Sequence, residues 1–100
     1  MDFFIAACLG FFLTNSLPHL IPGVHGKEFH SPFASPPVKG KSSAVVNVLW
    51  GVFNLVIAYI LFVEADINLR NYVQGAGFFL GILITALVLA IVFGRNKDKE

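Results

Sequence analysis

Three long windows without a charged side chain constrain this sequence more than any other feature. No Asp, Glu, Lys or Arg occurs in residues 3–26, 42–63 or 71–94. Charged residues make up 13% of the chain, whereas a soluble domain usually carries about a quarter. Windows of this length match the thickness of a bilayer, so they predict transmembrane helices and not a buried soluble core. We therefore expect an all-α membrane protein that forms a single domain over residues 1–100.

The windows predict three transmembrane helices, over residues 3–21, 44–63 and 72–93. Ser42 and Ser43 offer an N-cap for the second helix, which at 1.5 Å per residue covers about 30 Å. Gly94 is the expected C-cap of the third helix. Because the connection between the second and third helices is short, we expect these two to form an antiparallel hairpin.

The first helix reaches a membrane-spanning length only if it continues through Pro18. Proline removes one helical hydrogen bond, which membrane helices tolerate where neighbouring groups satisfy the freed carbonyl. We expect a kinked helix that ends near Ile21, because Pro22 and Gly23 follow. The connection over residues 22–43 is then much longer than a usual helix–helix loop, and such loops are often functional.

The distribution of lysine and arginine predicts the orientation, because these residues favour cytoplasmic loops. With three spans, the loop over residues 22–43 and the tail over residues 95–100 lie on one side. Six cations fall on that side: Lys27, Lys39, Lys41, Arg95, Lys97 and Lys99. Arg70 is alone on the other side. The N-terminus is therefore expected outside, and the long loop and C-terminus in the cytoplasm.

Small and polar side chains form one stripe on each predicted helix. Such stripes mark contact faces in membranes, where small residues and hydrogen bonds hold helices together. The candidate packing or pathway residues are Asn15, Asn47, Gly51, Asn54, Gln74, Gly77, Gly81 and Thr85. Packing in a bundle or an oligomer is the main interpretation, and a permeation path lined by the Asn and Gln side chains is the alternative. No charged residue lies mid-membrane, which disfavours a proton-coupled pump.

The long loop and the helix end before it contain all three histidines. His19, His25 and His30, with Glu28 as a fourth ligand, could hold zinc or a similar divalent metal if the loop folds so that they converge. Their spacing lacks the close pairs of known zinc motifs, and histidines that bond to backbone at the interface are commoner. Sensing of pH and docking of a partner are further possibilities. The prolines of residues 31–37 predict extended polyproline II geometry.

A longer pattern surrounds these histidines. It comprises Pro18-His19, Gly23-x-x-Gly26-x-x-Phe29, Pro32-Phe33-Ala34-x-Pro36-Pro37 and Asn47-Val48-Leu49-Trp50-Gly51. The pattern covers about a third of the chain and resembles a group of small, uncharacterised bacterial integral membrane proteins. The resemblance implies a bacterial inner-membrane protein and implies no activity. His30 and Ser31 stand where Pro-Thr is expected, which argues against His30 as a required ligand.

These observations predict no catalytic residue and no cofactor. The near-zero net charge does not suggest a nucleic-acid partner, and the single cysteine, Cys8, excludes an internal disulfide. We expect a small accessory or oligomeric membrane component that binds lipid, a larger membrane protein or further copies of itself through the loop and the polar helix faces. A small oligomeric transporter or channel is the alternative. A membrane enzyme or metal-binding protein that uses the loop histidines is the third hypothesis.

Overall fold

Over the described residues, the fold consists of three long helices and one very short strand pair. The computed structural model describes residues 2–97. The elements are, in chain order, α1 (Asp2–Val24), β1 (Phe29–His30), β2 (Lys41–Ser42), α2 (Ala44–Glu64) and α3 (Tyr72–Lys97). Each helix is long and apolar enough to cross a membrane, so the prediction of three such helices is confirmed. The two strands were not predicted from the sequence. Lys99, which belongs to the predicted cytoplasmic tail, lies outside the described residues.

Helix α1 continues through both of its prolines. It ends at Val24 and not near Ile21, so the predicted end was wrong. The additional turn brings Gly23 against α2, where a Cβ at Gly23 would lie 2.9 Å from the Ala44 carbonyl oxygen. The helix stops where Gly26 adopts a positive φ of 73° and the Lys27 amide donates to the Pro22 carbonyl at 2.9 Å. This left-handed glycine is a common way to end a helix.

Helix α1 packs against both other helices, whereas α2 and α3 hardly contact each other. Asn15 and Gly23 of α1 meet Asn54 and Val48 of α2, so these two helices are antiparallel. The predicted hairpin of α2 and α3 was therefore wrong as a packing unit. The short connection does reverse the chain, but each of the two helices presents its small-residue stripe to α1 and not to the other.

Glycines allow α1 and α3 to run side by side at close range. A Cβ at Gly77 would overlap the Phe3 carbonyl oxygen, and a Cβ at Gly81 would overlap that of Ala7. The matching order of these pairs shows that α1 and α3 are parallel. Backbones this close gain dispersion contacts and Cα–H···O contacts that larger side chains would prevent.

Of the two helix caps predicted from the sequence, the one at Ser43 is present in the structure and the one at Gly94 is not. Ser43 caps α2, where its hydroxyl accepts from the Val46 amide at 3.2 Å, as predicted. Asn71 caps α3 in the same way and was not predicted. Gly94 is not the C-cap of α3, because the helix continues to Lys97 and Gly94 has no positive φ.

The outer faces of the three helices are apolar and exposed. Phe79, Leu83 and Leu87 on α3 and Val45 on α2 each expose more than half of their area. Water-soluble proteins rarely expose continuous apolar surface on this scale.

Residues 25–43 and the C-terminal end of α3 lie together, since the Asn96 side-chain amide donates to the Val38 carbonyl at 3.2 Å. We call this end of the bundle the loop end.

Candidate functional site

Asn47 connects α1, α2 and the loop. Its side chain is completely buried, and its Nδ2 lies 3.1 Å from each of three carbonyl oxygens, those of Phe29, Ser42 and Ser43. These acceptors fix the orientation of the amide, so its Oδ1 faces Nδ1 of His19 at 2.9 Å. Oδ1 can only accept, and the His19 ring therefore carries a proton on Nδ1.

A second buried amide lies deeper between α1 and α2. Asn54 is 1% exposed; its Nδ2 donates to the Trp50 carbonyl at 2.8 Å and its Oδ1 accepts from Asn15 at 3.1 Å. Between the two amide sites, Gly51 approaches α1 so closely that a Cβ would lie 2.9 Å from the Leu20 nitrogen. The predicted stripe of α2 thus faces α1, and its amides bond within the chain.

The three histidines have separate partners. His19 bonds to Asn47, His25 approaches the Ile21 carbonyl at 2.7 Å, and His30 approaches the Lys39 carbonyl at 3.0 Å. Over residues 2–97, no three His, Cys, Asp or Glu side chains come close enough to hold a metal ion together. His30, which the sequence pattern argues against as a required ligand, is as buried as His19, and Glu28 is exposed.

The loop is a folded element and not an extended tether. Strands β1 and β2 pair antiparallel, and the Ser31 and Ser42 hydroxyls bond at 2.6 Å. Residues 32–37 form turns and bends, and the Val38 amide donates to the Ser31 carbonyl at 2.8 Å. The predicted polyproline geometry was therefore wrong, because turn hydrogen bonds and the short strand pair close the segment on itself.

Helix α3 supports this loop through an aromatic contact that the sequence did not reveal. The Phe93 ring stacks on His30 at 5.8 Å between centroids and meets Phe29 edge-on at 4.7 Å. His19 also approaches Phe93 edge-on at 6.2 Å. Neither Phe93 nor Asn96 belongs to a stripe or motif, and we find no signal in the sequence that pairs them with a loop about 60 residues earlier.

Two open grooves mark the surface near the loop end. The first, the aromatic face, has a volume of about 470 Å³ and is formed by Phe33, Val46, Leu49, Trp50 and Phe53. Phe33 meets Trp50 edge-on at 5.1 Å, and Trp50 stacks on Phe53 at 5.6 Å. Although it belongs to a folded loop, Phe33 remains 63% exposed.

The second groove, the side groove, has a volume of about 640 Å³ and lies between α1 and α3. Leu17 and Ile21 form one wall, and Ala86 and Leu89 form the other. Lys27 and His25 stand where it meets the loop. It lies closer to the loop end than the contact that Gly77 and Gly81 make with α1. In this part of the two helices, longer side chains and the prolines take the place of the glycines.

The remaining candidate residues lie on α3. Gly77, Gly81 and Thr85 are buried on one stripe. Gln74 lies at the opposite end of the bundle from Asn47, where its Oε1 accepts from the Asn68 amide at 2.8 Å. The structure therefore brings Asn15 and Asn54 together but does not bring Gln74 to them.

No protein-family model, curated protein or solved structure matches this chain. The resemblance to small bacterial membrane proteins stays a prediction, and any function is argued from the geometry of the two grooves and the buried amides.

Proposed function

We propose that this protein is a multi-pass component of the bacterial inner membrane, with the loop end in the cytoplasm. The apolar outer faces of all three helices support insertion in a bilayer, since exposure to water would be costly. Among the described residues, Lys27, Lys39, Lys41 and Arg95 lie at the loop end and Arg70 at the other, which supports the orientation.

Within that membrane, the protein acts as a small accessory or oligomeric component that holds a neighbouring membrane protein. The observation that carries this proposal is the aromatic face. The loop is fixed to α2 and α3 by the Asn47 and Phe93 contacts, so Phe33 is held in place although its ring is largely exposed. Ordered aromatic side chains provide large contact area at low entropic cost and are enriched at binding interfaces.

The occupant of the aromatic face is a transmembrane helix, from a larger membrane protein or from a second copy of this chain. Val46, Leu49 and Phe53 extend the face along α2 from the loop into the apolar part of the helix. A helix packed there would meet apolar side chains in the membrane and Phe33 at its boundary.

Site-specific photo-crosslinking in intact membranes tests the proposal. A photoreactive amino acid in place of Leu49 should give one discrete adduct, and Phe33→Ala should weaken that adduct. The matched control position is Ile84, which is similarly exposed but lies on α3. An adduct of twice the protein's mass would identify a second copy, and a heavier one a larger partner. The absence of a discrete adduct at position 49, or equal adducts at positions 49 and 84, would count decisively against the proposal.

The transporter and enzyme hypotheses have less support. A path through the chain would need free amides, but Asn47 and Asn54 are buried and bond to α1, to the loop and to their own helix. An enzyme using the histidines would need them to converge, and their Nδ1 atoms face different partners. Flux assays in liposomes and elemental analysis of the purified protein test these alternatives directly.

A further inference from the structure

The side groove has the shape and charge distribution of a lipid site. Its walls are the apolar side chains Leu17, Ile21, Ala86 and Leu89, and its end at the loop carries Lys27 and His25. An apolar groove that ends in a cationic side chain is complementary to a molecule with a long hydrocarbon part and an anionic end. The groove is open along its side, so such a molecule could enter from the bilayer.

The length of the groove matches one leaflet of a bilayer. From Thr14, its deepest residue on α1, to Val24 at the helix end, a rise of 1.5 Å per residue gives about 15 Å. That is half of the roughly 30 Å hydrocarbon core. An acyl chain lying in the groove would therefore end at mid-membrane, and its headgroup would reach the level of Lys27.

The origin of the groove lies in the sequence of α1. Near its start, the helix lies close to Gly77 and Gly81, and no space remains between the backbones. Further along, Leu17, Pro18, Ile21 and Pro22 replace the small residues, and they line the widened gap. The gap is thus a consequence of the change from small to large residues along the chain.

We propose that the side groove binds one acyl chain of an anionic phospholipid and that Lys27 contacts its phosphate. Near a membrane surface one lysine adds about 1 kcal/mol of attraction to anionic lipid, which corresponds to about a fivefold preference. His25 borders the same site and offers a second polar side chain at the headgroup level. The inference rests on the proposed membrane insertion and orientation but not on the aromatic face.

Native mass spectrometry of the full-length protein tests this proposal. The protein is released from nanodiscs containing equal amounts of phosphatidylglycerol and phosphatidylcholine with identical acyl chains. The wild-type protein should retain phosphatidylglycerol preferentially, and Lys27→Gln should reduce this preference about fivefold. Lys39→Gln is the matched control: it removes an exposed loop charge that does not line the groove, and it should reduce the preference clearly less than Lys27→Gln.

A second variant tests the acyl-chain part of the site. Ala86→Phe fills the groove from an exposed position on α3, and it should reduce retention of both lipids. Equal retention of the two lipids by the wild-type protein, or equal effects of Lys27→Gln and Lys39→Gln, would overturn the proposal. Should Ala86→Phe fail to fold, the two lysine variants alone decide. A wild-type protein that shows no lipid preference but still gives the position 49 adduct would refute this inference alone. A lipid preference without the adduct would refute only the aromatic face.

Discussion

At the scale of single residues, Asn47 and Asn54 show how unequal two buried amides can be. Asn47 bonds to His19 and to three carbonyls of the loop, whereas Asn54 bonds only to Asn15 and to its own helix. A buried carbonyl that loses its donor keeps the full cost of its desolvation. The structural importance of an amide in this bundle therefore depends on how many backbone groups it satisfies.

We expect Asn47→Leu to lower the free energy of unfolding by about 2 kcal/mol, because it leaves buried carbonyls and His19 without a partner. Asn54→Leu should cost less, about 1 kcal/mol, in line with single hydrogen bonds between membrane helices. Reversible unfolding in mixed micelles, followed by circular dichroism, measures both values. An equal or larger cost for Asn54→Leu would show that depth in the membrane matters more than the number of partners.

At the scale of elements, the contact between α1 and α3 depends on the absence of side chains. Gly81 faces the backbone of Ala7, whereas Gly94, on the same helix, has open space where a Cβ would lie. Two identical substitutions on one helix thus have opposite expected effects. Their comparison separates the packing contribution from the helix propensity of alanine.

We expect Gly81→Ala to destabilise the protein by about 1–3 kcal/mol, since the two backbones must separate. Gly94→Ala should be neutral or stabilising by up to about 1 kcal/mol, because alanine favours the helix and meets nothing there. The same unfolding assay distinguishes the two. A neutral Gly81→Ala would mean that α1 and α3 do not pack as closely as the structure shows.

The three helices were readable from the sequence, because absence of charge and helical spacing are local properties. The stripe of Asn47, Gly51 and Asn54 was recognised in this way and is buried. The partner of each stripe was not predictable, since periodicity shows which face packs but not against which helix. The loop fold was hidden for the same reason: Phe93 and Asn96 support it from the other end of the chain.

At the scale of the whole molecule, the loop and α3 form one unit at the loop end. Phe93 contacts Phe29 and His30, so the strand pair rests on a helix that is distant in sequence. Removing that ring should release the loop without disrupting the helices, because α3 remains held to α1 by Gly77 and Gly81.

We expect Phe93→Ala to increase hydrogen exchange of the loop amides over residues 29–42 at least tenfold, since about 1.4 kcal/mol of lost packing corresponds to a factor of ten. Ile91→Ala, at a position exposed on the same helix, is the control and should leave exchange unchanged. Mass spectrometry of the protein in nanodiscs measures both. Similar protection in the two variants would show that the strand pair is stable without the Phe93 ring.

Because α1 contacts both of the other helices, the order in which the helices are synthesised affects how the bundle assembles. Helix α1 is synthesised before α2 and α3, so under the proposed membrane insertion the helix that contacts both of the others is in place before either of them. Helix α2 can align its amides with α1 at once, but the loop must wait for Phe93, which follows on α3. A chain truncated after α2 would therefore hold its helices together and yet lack the folded loop.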